Sequence, residues 1–161
     1  MSTIAIGCDH AGVALKAKLV EFLKGRGCEV LDVGSFDASA PDDYTDFAVP
    51  VCEAVLEGQA ERGVLLCTTG IGMSIIANRF TGIRAAIVTD EAVAKLSREH
   101  NDANVFVLSA RALDGESAVR ALETWLNTPF SGAERHVRRL AKCDRAGRLA
   151  EASLLAKADP E

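Results

Sequence analysis

Short apolar runs alternate along the chain with longer segments whose apolar residues recur at helical spacing. The apolar runs predict strands at residues 3–7, 29–32, 63–67, 84–88 and 105–108. The segments between and after them predict helices at residues 13–25, 47–57, 73–79, 91–100 and 116–126. Regular alternation of strands and helices is typical of a parallel sheet with helices on both faces. We therefore predict an α/β fold with a doubly wound, Rossmann-like sheet of five parallel strands.

The C-terminal segment is basic and predicts a further helix, from Ala133 to about Leu155. A solvated, charged face is the usual explanation for such a run. Residues 156–161 predict a short frayed tail. A chain of 161 residues suffices for one domain with a core and is too short for two. The prediction is a single domain over residues 1–155.

Composition and charge narrow the classes of partner. The hydrophobic share of 48% and the charged share of 25% are those of a globular protein. A net charge of −5 argues against a general nucleic-acid or anionic-membrane binder. The sequence contains no apolar run long enough for a signal peptide or a membrane span. Five scattered cysteines without metal-ligand spacing indicate free thiols in a reducing compartment. We expect a cytoplasmic protein with neither a nucleic-acid nor a membrane partner.

Two glycine-containing loops follow predicted strands, and a doubly wound sheet binds its ligands at such strand ends. They are residues 7–12, GCDHAG, and residues 67–74, CTTGIGMS. Backbone N–H groups in the second loop can converge on a phosphate or on the oxyanion of a reacting carbonyl. A dinucleotide fingerprint is the weaker alternative, because Ile75 replaces its third glycine. Asp32 and Asp90 do stand where a ribose-binding acid would lie.

Cys67, His10 and His100 are the candidate reactive side chains. Cys67 lies where the third strand meets its loop, and a thiol at a helix N-terminus can supply a thiolate near neutral pH. A thiolate can serve as a base or a nucleophile. A buried structural thiol is the plain alternative. His10 lies in the first loop, and His100 lies in a polar turn, HNDAN, that also suits a helix end.

The predicted topology separates His100 from Cys67. The helix that carries His100 runs back from the carboxyl end of the sheet for about 16 Å. His100 should therefore lie at the opposite end of the sheet from Cys67 of its own chain. If both residues serve one reaction, His100 belongs to a neighbouring subunit's site, and a symmetric dimer is the economical arrangement.

Four stretches, in matching order and spacing, resemble one family over about residues 3–145. This family is ribose-5-phosphate isomerase type B, with the related galactose-6-phosphate isomerase subunits. The stretches are residues 7–10 (GCDH), 67–78 (CTTGIGMSIIAN), 97–104 (SREHNDAN) and 135–139 (RHVRR). The resemblance implies a cofactor-free aldose–ketose isomerase of sugar phosphates that works through an enediolate. It also implies a homodimer with shared active sites, with a tetramer as the larger alternative.

The resemblance also implies roles for individual residues. Cys67 matches the base that moves a proton between C1 and C2, and His100 matches the group that assists ring opening. Thr69 belongs, with residues 68–72, to the loop that stabilises the enediolate. Chemistry of this kind needs a base and an oxyanion site, and no metal ligand cluster is evident in the sequence. The positions matching substrate contacts are Asp9, His10, Tyr44, Thr68, Gly70, Ile71, Gly72, Ser74, Asn101 and the phosphate-binding Arg111, Arg135 and Arg139.

Two departures from the family bear on the substrate. Thr68 follows the cysteine where many members have glycine, and Thr45 follows Tyr44 where many have proline. Ribose 5-phosphate is the first choice, and a tetrose or hexose phosphate stays open. The competing class is a module that binds a sugar phosphate without turning it over. The joint presence of Cys67 and His100 argues against that class, because binding alone needs neither.

Overall fold

The protein, described as a computed structural model over residues 2–158, forms a five-stranded parallel sheet with helices on both faces. The strands are β1 (Thr3–Cys8), β2 (Glu29–Asp32), β3 (Arg62–Cys67), β4 (Ala85–Val88) and β5 (Val105–Ser109). The helices are α1 (Val13–Gly25), α2 (Thr45–Leu56), α3 (Ile71–Ala77), α4 (Glu91–Asn101), α5 (Gly115–Asn127) and α6 (Glu134–Ala158). A short 3-10 helix, His10–Gly12, precedes α1. The predicted α/β fold is confirmed.

The strand order, β2-β1-β3-β5-β4, fixes where a ligand can bind. The chain passes from β1 through α1 to β2 on one side of the sheet. From β3 it passes through α3 to β4, which lies at the opposite end of the strand order from β2. The order therefore reverses between β1 and β3, which pair in parallel. Their two following loops lie side by side at the carboxyl edge, where sheets of this kind leave a crevice for ligands.

Both faces of the sheet are buried, which is why the strands are apolar at successive positions. Side chains alternate between two cores along each strand. In β1, Ile4 and Ile6 pack with α1, α4 and α5, and Ala5 packs with α2 and α3. In β3, Leu66 belongs to the first core, which contains Ile4 and Ile6, and Cys67 belongs to the second core, which contains Ala5. Cys67 is thus packed into the second core at the carboxyl end of the central strand.

The loop after β1 is pressed against β3. A Cβ added at Gly12 would lie 2.7 Å from Cys8 Cβ and 3.0 Å from Leu66 Cβ, so only a glycine fits. The backbone N–H of Asp9 also donates to the carbonyl oxygen of Leu66 at 3.1 Å. These contacts bring Asp9 and His10 to the end of β3.

Two helices start two residues earlier than their patterns predict, and α5 starts one residue earlier, at Gly115. α2 begins at Thr45 and α3 at Ile71, each two residues before the expected start. α3 starts there because Gly70, with φ of 79°, turns the chain into the helix. α6 continues to Ala158, beyond the predicted end near residue 155. Residues 159–161 of the predicted tail lie outside the described residues. Within residues 2–158, no helix is both long and apolar enough to cross a membrane.

Candidate active site

Cys67 ends β3 at the edge of the sheet where the strand order reverses. Only 5% of the residue is exposed. The backbone N–H of Gly70 donates a hydrogen bond to Cys67 Sγ, with 3.0 Å between nitrogen and sulfur. An N–H group directed at sulfur stabilises negative charge on it. The sulfur therefore lies at the carboxyl end of the sheet with a backbone donor directed at it.

The loop after Cys67 is joined to the end of β5. Thr68 contributes its carbonyl oxygen, which accepts a hydrogen bond from Ser109 Oγ at 2.8 Å. The backbone N–H of Arg111 donates to the same hydroxyl at 3.2 Å. Thr69 Oγ1 accepts from the N–H of Ile71 at 3.3 Å. Ser109 thereby ties the loop to the segment that carries Arg111, and both lie at the carboxyl edge.

Tyr44 closes the other side of this loop. A Cβ added at Gly72 would lie 2.8–3.0 Å from the ring atoms of Tyr44, so the ring packs directly on the first turn of α3. Ser74 lies on the same helix, and its N–H donates to the carbonyl oxygen of Gly70 at 3.0 Å. The start of α2 and the start of α3 therefore both line the edge beside Cys67.

Asp9 and His10 complete this side of the site. Asp9 is 6% exposed and caps the 3-10 helix by accepting the N–H of Ala11 at 3.0 Å. Burial raises the pKa of Asp9 above its ordinary value, although the N–H of Ala11 opposes the shift. His10 contacts Asp42, from the loop between β2 and α2, through its ring at 2.9 Å. The hydrogen bond with Asp42 raises the pKa of His10.

We call this group the first cluster. Its members share the carboxyl edge of the sheet. They are Cys67, residues 68–74, Asp9, His10, Tyr44 and Arg111.

The second cluster lies where α4 ends and α6 begins. His100 and Asn101 are the last residues of α4. The ring of His100 packs against the ring of His136 in a tilted arrangement, with 4.3 Å between centroids and 43° between planes. Arg135 and Arg139 flank His136 on α6. The members of this cluster are His100, Asn101, Arg135, His136 and Arg139.

His136 links the two helices of the second cluster. It is 2% exposed, and its Nε2 accepts a hydrogen bond from Arg135 Nε at 3.1 Å. Its Nδ1 lies 2.8 Å from Ser131 Oγ. Burial lowers the pKa of His136, and the charges of His100, Arg135 and Arg139 add to that effect. A neutral His136 accepts from Arg135 and donates to Ser131, so it holds the Arg135 guanidinium in place within the second cluster.

The two clusters lie at opposite ends of the sheet within one chain. In the parallel pair of β3 and β5, Gly63 is opposite Val105 and Cys67 is opposite Ser109. α4 ends at Asn101, just before β5 begins, so the second cluster lies towards the amino end. The length of β3 from Gly63 to Cys67 alone spans about 13 Å. The structure therefore does not bring His100, Arg135 and Arg139 to Cys67 of the same chain.

Sequence reasoning missed three residues that organise the site: Asp42, Ser109 and His136. The acidic character of the loop before Tyr44 is a weak signal for Asp42, and its partner His10 is 32 residues away. His136 lies inside a stretch that resembles the family, but it reads there as part of a basic helix. Nothing in the sequence marks Ser109 as a link, because it reads as the end of a strand.

Metal binding is the remaining question about the site's chemistry. Among residues 2–158, no group of three or more His, Cys, Asp and Glu side chains is placed to hold a metal ion. The expectations of a site without metal and without cofactor stay predictions.

Fold and site together define an α/β protein with a ligand crevice and a candidate reactive cysteine at the switch point of its sheet. The family described as Ribose/Galactose Isomerase matches residues 4–143. Ribose-5-phosphate isomerase B of Escherichia coli (strain K12) is 42% identical over 140 residues, which are 87% of this chain and 93% of that protein. The chain belongs to the ribose/galactose isomerase family.

Solved structures agree with this assignment. The structure of Clostridium thermocellum ribose-5-phosphate isomerase B has a TM-score of 0.89 and 42% identity, covering 92% of this chain and 99% of that one. The Mycoplasma genitalium ribose-5-phosphate isomerase B, solved with bound ribulose-5-phosphate, has a TM-score of 0.86 and 37% identity, covering 91% and 96%. The identification of an aldose–ketose isomerase of the type B family is thus confirmed.

Proposed function

We propose that this protein interconverts ribose 5-phosphate and ribulose 5-phosphate through an enediolate, with Cys67 as the base. The observation that carries the proposal is the hydrogen bond from the Gly70 N–H to Cys67 Sγ at the switch point of the sheet. It orients a backbone dipole towards the sulfur beside a loop suited to oxyanions. The relatives named above support the choice of sugar.

The proposed chemistry needs only proton transfers. In the open-chain aldose, the Cys67 thiolate removes the proton from C2, and the C–H electron pair forms the C1–C2 double bond. Charge develops on the sugar oxygen, where the loop of residues 68–72, with the Thr69 hydroxyl, stabilises it. A proton passes from O2 to O1, and the thiol returns its proton to C1. Ketose results, and the thiolate is restored.

We propose that each site is completed by a second copy of the chain. The separation of the clusters supports this, because one substrate cannot reach both within one chain. A two-fold dimer would place the second cluster of one subunit over the first cluster of the other. His100, with Asn101 beside it, would then assist ring opening in its neighbour's site. Arg111 would meet the phosphate from one chain, and Arg135 and Arg139 from the other.

A substrate panel tests the proposed activity. The protein should isomerise ribose 5-phosphate with kcat/KM about tenfold or more above four- and six-carbon aldose phosphates, since one extra or missing carbon unit changes transition-state binding by that order. Turnover in deuterated water should place solvent deuterium at the carbon that receives the proton. A higher kcat/KM for a tetrose or hexose phosphate would reassign the substrate. Binding without turnover and without exchange would contradict the isomerase and favour a binding module.

The arginines of α6 give a second prediction. Arg139→Ala should raise KM for ribose 5-phosphate by about one to two orders of magnitude, because it removes a charged hydrogen bond to the phosphate. Arg135→Ala should do the same. Steady-state kinetics at saturating and limiting substrate separate KM from kcat. Arg138 is the matched control, because it lies on the same helix and its guanidinium pairs with Glu134 at 3.8 Å. A rise in KM for Arg138→Ala as large as that for Arg139→Ala would indicate a general effect of surface charge instead.

A further inference from the structure

His10 is fixed at two points by a single carboxylate oxygen. The backbone N–H of His10 donates to Asp42 Oδ1 at 2.9 Å. The ring nitrogen Nδ1 lies 2.9 Å from the same oxygen. Asp42 comes from the loop between β2 and α2, so the contact joins two of the segments that line the carboxyl edge. With Nδ1 directed to Asp42, Nε2 is the ring nitrogen that can reach a ligand.

The loop that carries Asp42 is itself anchored to β1. The N–H of Cys8 donates to the carbonyl oxygen of Gly34 at 2.6 Å, and the N–H of Ser35 donates to the carbonyl oxygen of Cys8 at 2.5 Å. Lys16, 3% exposed, pairs with Asp32 at 2.5 Å where the loop leaves β2. Asp42 therefore approaches His10 from a segment that is tied to the sheet.

The charges around His10 favour its protonated form. The hydrogen bond with Asp42 is the main cause of the raised pKa of His10, and the charge of Asp9 adds to it. Burial alone would raise the pKa of Asp42, but hydrogen bonds from His10 and Ser35 outweigh burial, and its pKa is lowered. Asp37 is the further charge that interacts with Asp42 from within the loop.

We propose that Asp42 is a positioning residue, which holds the His10 imidazolium by Nδ1 so that Nε2 donates to an anionic oxygen of the sugar phosphate. The inference rests on the proposed function and adds a residue to its site. His10 shares the edge with Cys67 and Arg111, so a cation there lies within the first cluster. A cationic donor binds a phosphate or oxyanion more strongly than a neutral ring does.

The direction of the pH effect follows from the raised pKa. The ion pair is complete below the ordinary histidine pKa of about 6.5 and is lost as the pH rises through the raised value. Asp42→Asn keeps an oxygen that can accept from both nitrogens of His10, but it removes the charge. In this variant, His10 should lose its proton at lower pH than in the wild type. Substrate affinity should decline at correspondingly lower pH.

The first measurement is the titration of His10 by ¹H–¹⁵N NMR, which is practical because the chain has three histidines. Asp42→Asn should lower the pKa of His10. The matched control is Asp37→Asn, in the same loop, whose carboxylate accepts from Ser39 N at 2.8 Å rather than from His10. The control should leave the His10 titration near that of the wild type. An unchanged His10 pKa in Asp42→Asn overturns the proposal.

The second measurement is the affinity for ribose 5-phosphate between about pH 6 and pH 8. It is taken as KM, and as Kd by calorimetry in a Cys67→Ser background. Asp42→Asn should weaken binding by up to about tenfold near neutral pH, with a smaller change at about pH 6 and kcat largely kept. In a His10→Gln background, Asp42→Asn should add little, because the two residues act together. The proposal is overturned if Asp42→Asn lowers the affinity equally at every pH, or if its effect on affinity is fully additive with that of His10→Gln.

Failure of this inference is distinguishable from failure of the proposed function. If the protein isomerises ribose 5-phosphate but Asp42→Asn does not shift the pH dependence of substrate affinity, only the inference about Asp42 is overturned. If ribose 5-phosphate binds with the expected pH dependence but is not isomerised, the inference stands and the proposed function fails.

Discussion

Replacing Cys67 by serine is expected to lower kcat by about 10²–10⁴, the usual contribution of a general base. A serine hydroxyl is a far poorer base than a thiolate at neutral pH, although it fills nearly the same space. Kd for ribose 5-phosphate should change little, because the loop of residues 68–72 and the arginines remain. Stopped assays of ketose formation and calorimetric Kd values separate the two effects.

The other cysteines supply the contrast for this prediction. Burial raises the pKa of Cys8 and Cys52 to about 12, so neither thiol is a base at neutral pH. Cys143 is exposed on α6, away from the first cluster, and Cys143→Ser is the matched control with an expected kcat near that of the wild type. A Cys67→Ser protein that keeps more than about a third of wild-type kcat would show that Cys67 is not the base, since loss of a general base costs far more.

The alternation of strands and helices could be predicted from sequence because both faces of this sheet are buried. Each strand is then a short apolar run with polar or glycine-rich ends, as in residues 63–67, and β3 differs from that range by one residue. The strand order could not be predicted in the same way. It depends on which side of the sheet each connecting helix packs, and the amphipathic pattern of a helix does not specify its neighbour.

Helix starts were less predictable than helix interiors. Gly70 and Gly72 read as loop residues, but Gly70 caps α3 and Gly72 lies inside it against the Tyr44 ring. Gly72 is needed because the Tyr44 ring, 28 positions earlier in the sequence, packs against it. A local pattern carries no information about such a contact. The same reason hides the pair of Asp42 and His10.

The candidate site was predictable where chemistry is concentrated in short motifs. The two glycine-containing loops indicated the carboxyl edge, and helix length placed His100 away from it. The structure adds how the residues are held, through Ser109 at the first cluster and His136 at the second. These linking residues bear ordinary side chains, and only their neighbours in space give them a function.

Mixing Cys67→Ala with His100→Ala is expected to restore about a quarter of the wild-type sites after subunit exchange. In the proposed dimer, each site takes the first cluster from one chain and the second cluster from the other. A mixed dimer then has one site with both lesions and one with neither. At equal mixing half of the dimers are mixed, which gives the quarter by counting, provided the dimer is two-fold symmetric. The measurement is ribose 5-phosphate turnover before and after exchange, with exchange followed by tagged subunits and mass spectrometry.

The second cluster provides a matched control for this experiment. His100→Ala and Arg139→Ala both lie in that cluster, so every site of their mixed dimer carries one lesion. Their mixture should stay at the activity of the parents. Assayed with ribose 5-phosphate well below the KM of Arg139→Ala, where that parent is nearly inactive, Cys67→Ala with Arg139→Ala should recover as the first mixture does. These lesions lie in different clusters, and the intact site of the mixed dimer lacks both.

The pattern of recovery across the three mixtures decides between the arrangements. Sites built within one chain predict no recovery in any mixture, because every chain carries a lesion in its own site. Sites shared as proposed predict recovery only when the lesions come from different clusters. The separation of about 13 Å or more along β3 makes the first arrangement costly, because α4 would have to leave the sheet to carry His100 to Cys67. No recovery despite confirmed exchange would therefore mean that His100 acts outside the Cys67 site, and the shared site would be wrong.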